Sequence, residues 1–210
     1  MERKRFITSV VLNGLIIVLG IIGLILSIIK HGFGLVQYYT QLSNIFLLVI
    51  TSALFVYQIL YLKRGRETPR ILKVLKYSAT CMVSITLIVV LFILIPMAGF
   101  EYAGYMLFEG TTLFYHTLCP VLAIITFFVF DDIELEKKDK WYAFLPTVIY
   151  GIVIVFFNLI KVVKGPYGFL YIYENPIHIT IIWGIIILGF SYLLCIIFKG
   201  IKTRISKKKR

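Results

Sequence analysis

The chain has 210 residues, of which 60% are hydrophobic and 15% charged, and its mean hydropathy is +0.95. Such an apolar composition excludes an ordinary soluble domain. The net charge of +12 could indicate nucleic-acid binding, but the basic residues lie in short segments between apolar runs, so we predict no nucleic-acid partner.

Six apolar runs are each long enough to cross a hydrocarbon core of about 30 Å at about 1.5 Å per residue. They predict an all-α integral membrane protein, a bundle of six transmembrane helices forming a single domain over residues 1–210. The predicted spans are residues 6–29, 39–62, 74–97, 111–130, 141–160 and 177–198.

The basic residues are distributed unevenly between the two sides of this bundle. Of 22 Lys and Arg residues, only Lys30, Lys161 and Lys164 fall in the loops after the first, third and fifth spans. The positive-inside rule therefore predicts cytoplasmic N- and C-termini, with the basic segment from Lys63 to Lys76 on the inner surface. The Ile- and Lys-rich composition is consistent with a bacterial cytoplasmic membrane.

The second span begins with unusually polar residues. Thr40, Ser43 and Asn44 are spaced i, i+3, i+4 and so share one helical face, next to Gln41. Polar groups inside a bilayer usually face the bundle interior or a water-filled cavity. We therefore expect this face to look inward.

The fourth span carries a histidine followed by a proline. His116 lies about 9 Å along the helix from its outer end. Pro120 has no amide hydrogen, so it should leave the carbonyl of His116 without a helical partner and kink the helix there. An ionisable group within a span is by default a candidate functional residue.

The fifth and sixth spans add Tyr150, Asn158 and His178, and a turn-rich segment from Gly165 to Phe169 connects them. A hydroxyl and an imidazole within hydrogen-bond reach can act as nucleophile and base, and an amide can orient the base or stabilise an oxyanion. The alternative is a structural role, in which the threonine hydroxyl is hydrogen-bonded to its own helix backbone and His178 is hydrogen-bonded to water at the membrane interface. The predicted topology places the following residues in the outer half: Thr40, Ser43, Asn44, His116, Asn158 and His178.

Several kinds of chemistry have no support in the sequence. No carboxylate lies in a predicted span, which argues against an ion or proton relay. There is no H-E-x-x-H, G-x-S-x-G or P-loop motif and no His/Cys cluster, so we predict neither a metal site nor a cofactor.

Four motifs resemble those of the androgen-induced and androgen-dependent membrane proteins and their bacterial relatives, over about residues 6–198. They are YYTQLSN in the second span, FYHTLCPVLAIITFFVFD in the fourth, P-x-x-x-Y (Pro146, Tyr150) in the fifth, and GPYGF after it. The resemblance implies an intramembrane threonine hydrolase that cleaves fatty acid esters of hydroxy fatty acids or similar lipids. Thr40 matches the family's nucleophile and His116 its histidine, whereas GPYGF departs from the family's Y-P-Y-P-F-like loop.

The hydrolase hypothesis gives roles to the other polar residues. The enzyme would take its lipid substrate from the bilayer. Ser43 and Asn44 would donate to the oxyanion or orient the base, and Lys161, Lys164 or His178 could hold a carboxylate end. Two alternatives stay open: a non-catalytic lipid or small-ligand binding protein, and a small transporter. The predicted pocket residues are Gln41, Tyr115, Tyr150, Asn158 and His178.

Overall fold

The computed structural model describes residues 3–208 and confirms the six predicted spans, with no β-strand in that part of the chain. All helices except a short one over Ala103–Phe108 are long and apolar enough to cross a membrane. The last helix continues beyond its predicted end at residue 198. The helices are α1 (Arg3–His31), α2 (Tyr39–Arg64), α3 (Arg70–Ala98), α4 (Ala103–Phe108), α5 (Leu113–Phe130), α6 (Asp139–Leu159) and α7 (Ile177–Lys208).

The distribution of side chains is that of a multi-pass membrane protein. Large aliphatic residues such as Ile152 and Ile185 are exposed on the outside of the bundle, whereas polar residues such as Ser9 and Thr51 are fully buried. Lipid tails accept the apolar exterior, and polar groups must find partners inside. We call the end of the bundle that holds Arg3 and Lys208 the terminal end, and the opposite end the distal end.

A buried polar network joins the helices towards the terminal end. Lys76 is fully buried, and its Nζ donates to Asn13 Oδ1 at 2.9 Å and to Thr51 Oγ1 at 3.0 Å. Asn13 Nδ2 donates to Asp131 Oδ1 at 3.2 Å, and Ser9 Oγ donates to the same oxygen at 2.6 Å. A buried cation and a buried carboxylate therefore face each other across one amide side chain.

This network corrects one expectation from the sequence. Lys76 was expected with the basic segment on the inner surface, but it points into the bundle because Asn13 and Thr51 offer acceptors there. Asp131 lies just after the fourth predicted span, in the loop before the fifth, and is only 3% exposed. The Nζ of the buried Lys202 also donates to the backbone carbonyl of Asp131 at 2.7 Å. The interior thus carries charge, although no carboxylate lies in a predicted span.

Helix α5 has a wider, π-helical turn just before Pro120. It is π-helical over Leu113–Leu118, and the Cys119 amide donates to the Phe114 carbonyl five residues back. In that pattern the next amide would bond the Tyr115 carbonyl, but Pro120 has no amide. Asn44 Nδ2, from α2, donates to the Tyr115 carbonyl instead, at 3.0 Å. The Tyr115 carbonyl therefore has its hydrogen-bond partner on another helix.

The buried network predicts a double-mutant result. Lys76→Met alone removes a cation that faces the buried Asp131 carboxylate across Asn13, so it should lower the free energy of unfolding by about 3 kcal/mol. Lys76→Met combined with Asp131→Asn should recover part of that loss. Denaturation in detergent of the double variant and of both single variants measures this, with the exposed Lys63→Met as control. If the double variant were as unstable as the sum of the single variants, the two charges would not be coupled.

Candidate active site

A cavity of about 440 Å³ lies at the distal end of the bundle, and both polar and apolar side chains line it. We call it the polar cavity because Lys30, Gln41 and His116 are among its lining residues. Thr40 from α2 and His116 from α5 both line it, although 76 positions separate them in the sequence. Lys30 is the only fully charged residue among its described lining residues, which include no carboxylate. The cavity therefore places a hydroxyl, an imidazole and a cation around one volume of ligand size.

An apolar cavity of about 320 Å³ adjoins the polar one, and none of its described lining residues is charged. Thr40, Leu94 and Tyr167 line both cavities. Ile152 also lines the apolar cavity and is 65% exposed on the outside of the bundle, so the cavity reaches the lipid-facing surface. The Thr40 hydroxyl thus lies where an aliphatic compartment meets a polar one.

His116 is held in one tautomer by the short helix α4. Its Nδ1 lies 2.6 Å from the backbone carbonyl of Met106. A carbonyl can only accept a hydrogen bond, so Nδ1 carries the proton and a neutral ring keeps its lone pair on Nε2. The last carbonyls of a helix lack partners within it, and in α4 those of Tyr105, Met106 and Leu107 accept from Thr112, His116 and Thr117. The packing of α4 therefore fixes the orientation of the imidazole ring.

Thr40 and His116 share the cavity but are not hydrogen-bonded to each other in the described part of the chain. Tyr167 lines the same cavity, and its hydroxyl is close enough to the Thr40 side chain to interact with it. The two predicted residues are thus brought to one cavity, with Tyr167 as an additional neighbour. Proton transfer between them would need a movement or a bridging water.

Ser43 and Asn44 are turned away from this cavity. Ser43 Oγ donates to the carbonyl of Thr40 at 3.0 Å and lies 3.1 Å from the hydroxyl oxygen of Thr86. Asn44 Nδ2 donates to the Thr40 carbonyl at 2.9 Å as well as to that of Tyr115. In this geometry both side chains hold backbone in place, and neither is free to donate to an oxyanion as the sequence suggested.

Three predicted pocket residues do line a cavity. Gln41 lines the polar cavity, where its Oε1 is buried without a hydrogen-bond partner among the described residues. Tyr115 lines the same cavity, but its hydroxyl donates to the Gly20 carbonyl at 3.1 Å, and its ring packs where a Cβ on Gly23 would lie 2.4 Å away. Tyr150 lines the apolar cavity and donates to the Gln37 carbonyl at 2.8 Å.

Asn158 and His178, by contrast, line neither the polar nor the apolar cavity. Asn158 Nδ2 donates to the carbonyls of Lys164 and Leu170, because the chain turns back over the end of α6 and needs donors for its buried backbone. His178 is exposed on the first turn of α7. The topology brought both to the distal end, but only the fold determines which way each side chain points.

Two residues predicted to hold a carboxylate, Lys161 and Lys164, do not line the polar cavity. Lys161 and Lys164 line a separate small cavity. Lys164 Nζ lies 2.7 Å from Glu174 Oε1, and this contact raises the pKa of Lys164 above its usual value. Lys30, which lines the polar cavity and donates to the Tyr105 hydroxyl at 2.9 Å, occupies the position that the sequence assigned to them.

Sequence reasoning missed Tyr167, Lys30 and helix α4. Tyr167 was visible only as an aromatic residue in a turn-rich segment, and Lys30 only as one of three outer basic residues. Nothing in residues 98–110 indicated that backbone carbonyls there would orient His116. These contacts depend on how the connecting segments fold back over the bundle, which hydropathy does not encode.

Comparison with known proteins adds no assignment to this geometry. No family model, curated protein or solved structure matches the chain.

Proposed function

We propose that this protein is an intramembrane hydrolase of fatty-acyl esters that uses Thr40 as nucleophile and His116 as base. The observation that carries the proposal is the position of Thr40, which lines both an apolar and a polar cavity, the latter also lined by His116, whose Nδ1 is engaged by the Met106 carbonyl. A fatty acid ester likewise has an apolar part, the acyl chain, joined to a polar part, the ester group. The resemblance to the threonine hydrolases of the androgen-induced family supports the same pair of residues.

The reaction follows from this arrangement. His116 Nε2 takes the proton of the Thr40 hydroxyl, directly or through a water, as Oγ1 attacks the ester carbonyl. The proton then passes from His116 to the departing alcohol, leaving an acyl-threonine. Water attacks this ester with His116 again as base, and the fatty acid and free Thr40 are released.

In this proposal each cavity holds one half of the substrate. The acyl chain occupies the apolar cavity and enters from the bilayer past Ile152, which is exposed beside it. The alcohol half occupies the polar cavity, where Lys30 attracts a carboxylate and the buried Gln41 Oε1 accepts a hydrogen bond. Under the positive-inside rule the distal end faces out, so the proposed site lies in the outer half of a bacterial cytoplasmic membrane.

The first test is hydrolysis of a fatty acid ester of a hydroxy fatty acid by purified protein. Thr40→Ala and His116→Ala should each reduce turnover by about 10³-fold or more, since each removes a member of a nucleophile and base pair. Thr8→Ala and His178→Ala are matched controls, because both residues are outside the two cavities. If folded Thr40→Ala and His116→Ala proteins keep wild-type turnover, the proposed nucleophile and base are wrong. A wild-type protein that hydrolyses no ester would instead favour a lipid-binding protein.

The second test concerns the alcohol half of the substrate. Lys30→Gln should raise KM about three- to tenfold for an ester with a free carboxylate, because it removes a charge-assisted hydrogen bond at a partly solvated site. The same ester with its carboxylate methylated should show little change. Lys161→Gln serves as control, since Lys161 lies beside Tyr173 outside the polar cavity. Equal effects of Lys30→Gln on both substrates would remove Lys30 from substrate recognition.

A further inference from the structure

Tyr167 lies in the segment between α6 and α7 and lines both cavities together with Thr40. Its hydroxyl is close enough to the Thr40 side chain and to the backbone amides of Tyr39 and Thr40 to interact with them. These are the first two amides of α2, whose own backbone bonds begin with Gln41 donating to the Tyr38 carbonyl at 3.1 Å. The phenol oxygen therefore meets amides that have no partner within the helix.

The segment that carries Tyr167 is held by several specific contacts. Asn158 donates to its backbone at Lys164 and Leu170, and Asn175 Nδ2 donates to the Gly168 carbonyl at 2.6 Å. Gly165 has φ +103°, and a Cβ there would lie 2.7 Å from Asn158 Nδ2. Lys164 and Glu174 form an ion pair across the same turn. The position of Tyr167 is thus fixed by the fold rather than by a freely moving loop.

The hydrogen-bonding capacity of a phenol decides what Tyr167 can do there. The oxygen has two acceptor sites and a single hydrogen. If the amides of Tyr39 and Thr40 donate to the oxygen, the hydrogen is left to point at Thr40 Oγ1 or at a ligand oxygen beside it. Burial raises the pKa of Tyr167, so the hydroxyl stays protonated at neutral pH. Amides that donate to the oxygen also strengthen the hydroxyl as a donor.

We propose that Tyr167 is a further catalytic residue, whose hydroxyl donates a hydrogen bond to the carbonyl oxygen of the ester as Thr40 attacks. This inference rests on the proposed hydrolase function and supplies the oxyanion donor that Ser43 and Asn44 do not. Thr40 Oγ1 bonds to the carbonyl carbon and its proton goes to His116, while the π electron pair moves onto the carbonyl oxygen. Tyr167 stabilises that oxygen and keeps its own proton. The pair returns to form the acyl-threonine as the alcohol leaves with the proton from His116.

Tyr167→Phe tests this role because it removes one oxygen atom and keeps the ring. It should lower kcat about 10²- to 10³-fold with little change in KM, as expected for a donor that acts in the transition state. Tyr173→Phe is the matched control: its hydroxyl, in the same segment, donates to the Leu159 carbonyl at 2.6 Å outside both cavities. That variant should keep wild-type kcat.

Two unreactive analogues distinguish catalysis from structural support. Tyr167→Phe should bind a long-chain ether, in which the ester carbonyl is absent, as tightly as wild type does, but should bind a phosphonate analogue of the tetrahedral intermediate about 10²-fold more weakly. Equal losses for ether and phosphonate would make Tyr167 merely structural, and unchanged kcat and phosphonate affinity would also overturn the inference. A wild-type protein that hydrolyses no ester would instead overturn the proposed function. Hydrolysis that depends on Thr40 and His116 but not on Tyr167 would overturn this inference alone.

Discussion

The candidate site depends on a single amide side chain, that of Asn44. Its Nδ2 donates both to the carbonyl of Thr40, at 2.9 Å, and to the carbonyl of Tyr115, at 3.0 Å. The second carbonyl is available because α5 is π-helical and Pro120 has no amide to give it. In a bilayer an unpaired carbonyl is costly, so this contact is strongly favoured. It joins the backbone of the proposed nucleophile to the residue that precedes the proposed base.

Buried polar groups line a cavity at each end of the bundle. Towards the terminal end, Lys76, Asn13, Ser9 and Asp131 bind one another in a hydrogen-bonded network, and Ser9 and Asp131 also line a cavity of about 550 Å³. At the distal end, Thr40, Gln41 and His116 line the polar cavity. The distal cavity differs in that Thr40 also lines an adjoining apolar cavity.

The sequence predicted the number, order and approximate limits of the spans, because hydropathy and helix length are set by local composition. It also brought Thr40 and His116 to one end of the bundle, and the structure places both on one cavity. It also predicted that the polar face of α2 would look inward, and Thr40, Ser43 and Asn44 are buried. It could not predict the same of Lys76 and Asp131. Lys76 and Asp131 are buried because side chains of other helices form hydrogen bonds with them. The Asn158 side chain is instead hydrogen-bonded to nearby backbone carbonyls. Tyr167 and the carbonyl of Met106 come from connecting segments, whose path depends on tertiary contacts.

The central claim is that Thr40 is an activated nucleophile at the junction of the two cavities. Treatment of the purified protein with a long-chain fluorophosphonate, followed by peptide mass spectrometry, tests it most directly. A covalent adduct on Thr40 that is lost in His116→Ala is the predicted result, since the base is needed to activate the hydroxyl. An adduct on another residue, or labelling of Thr40 that does not depend on His116, would contradict the account.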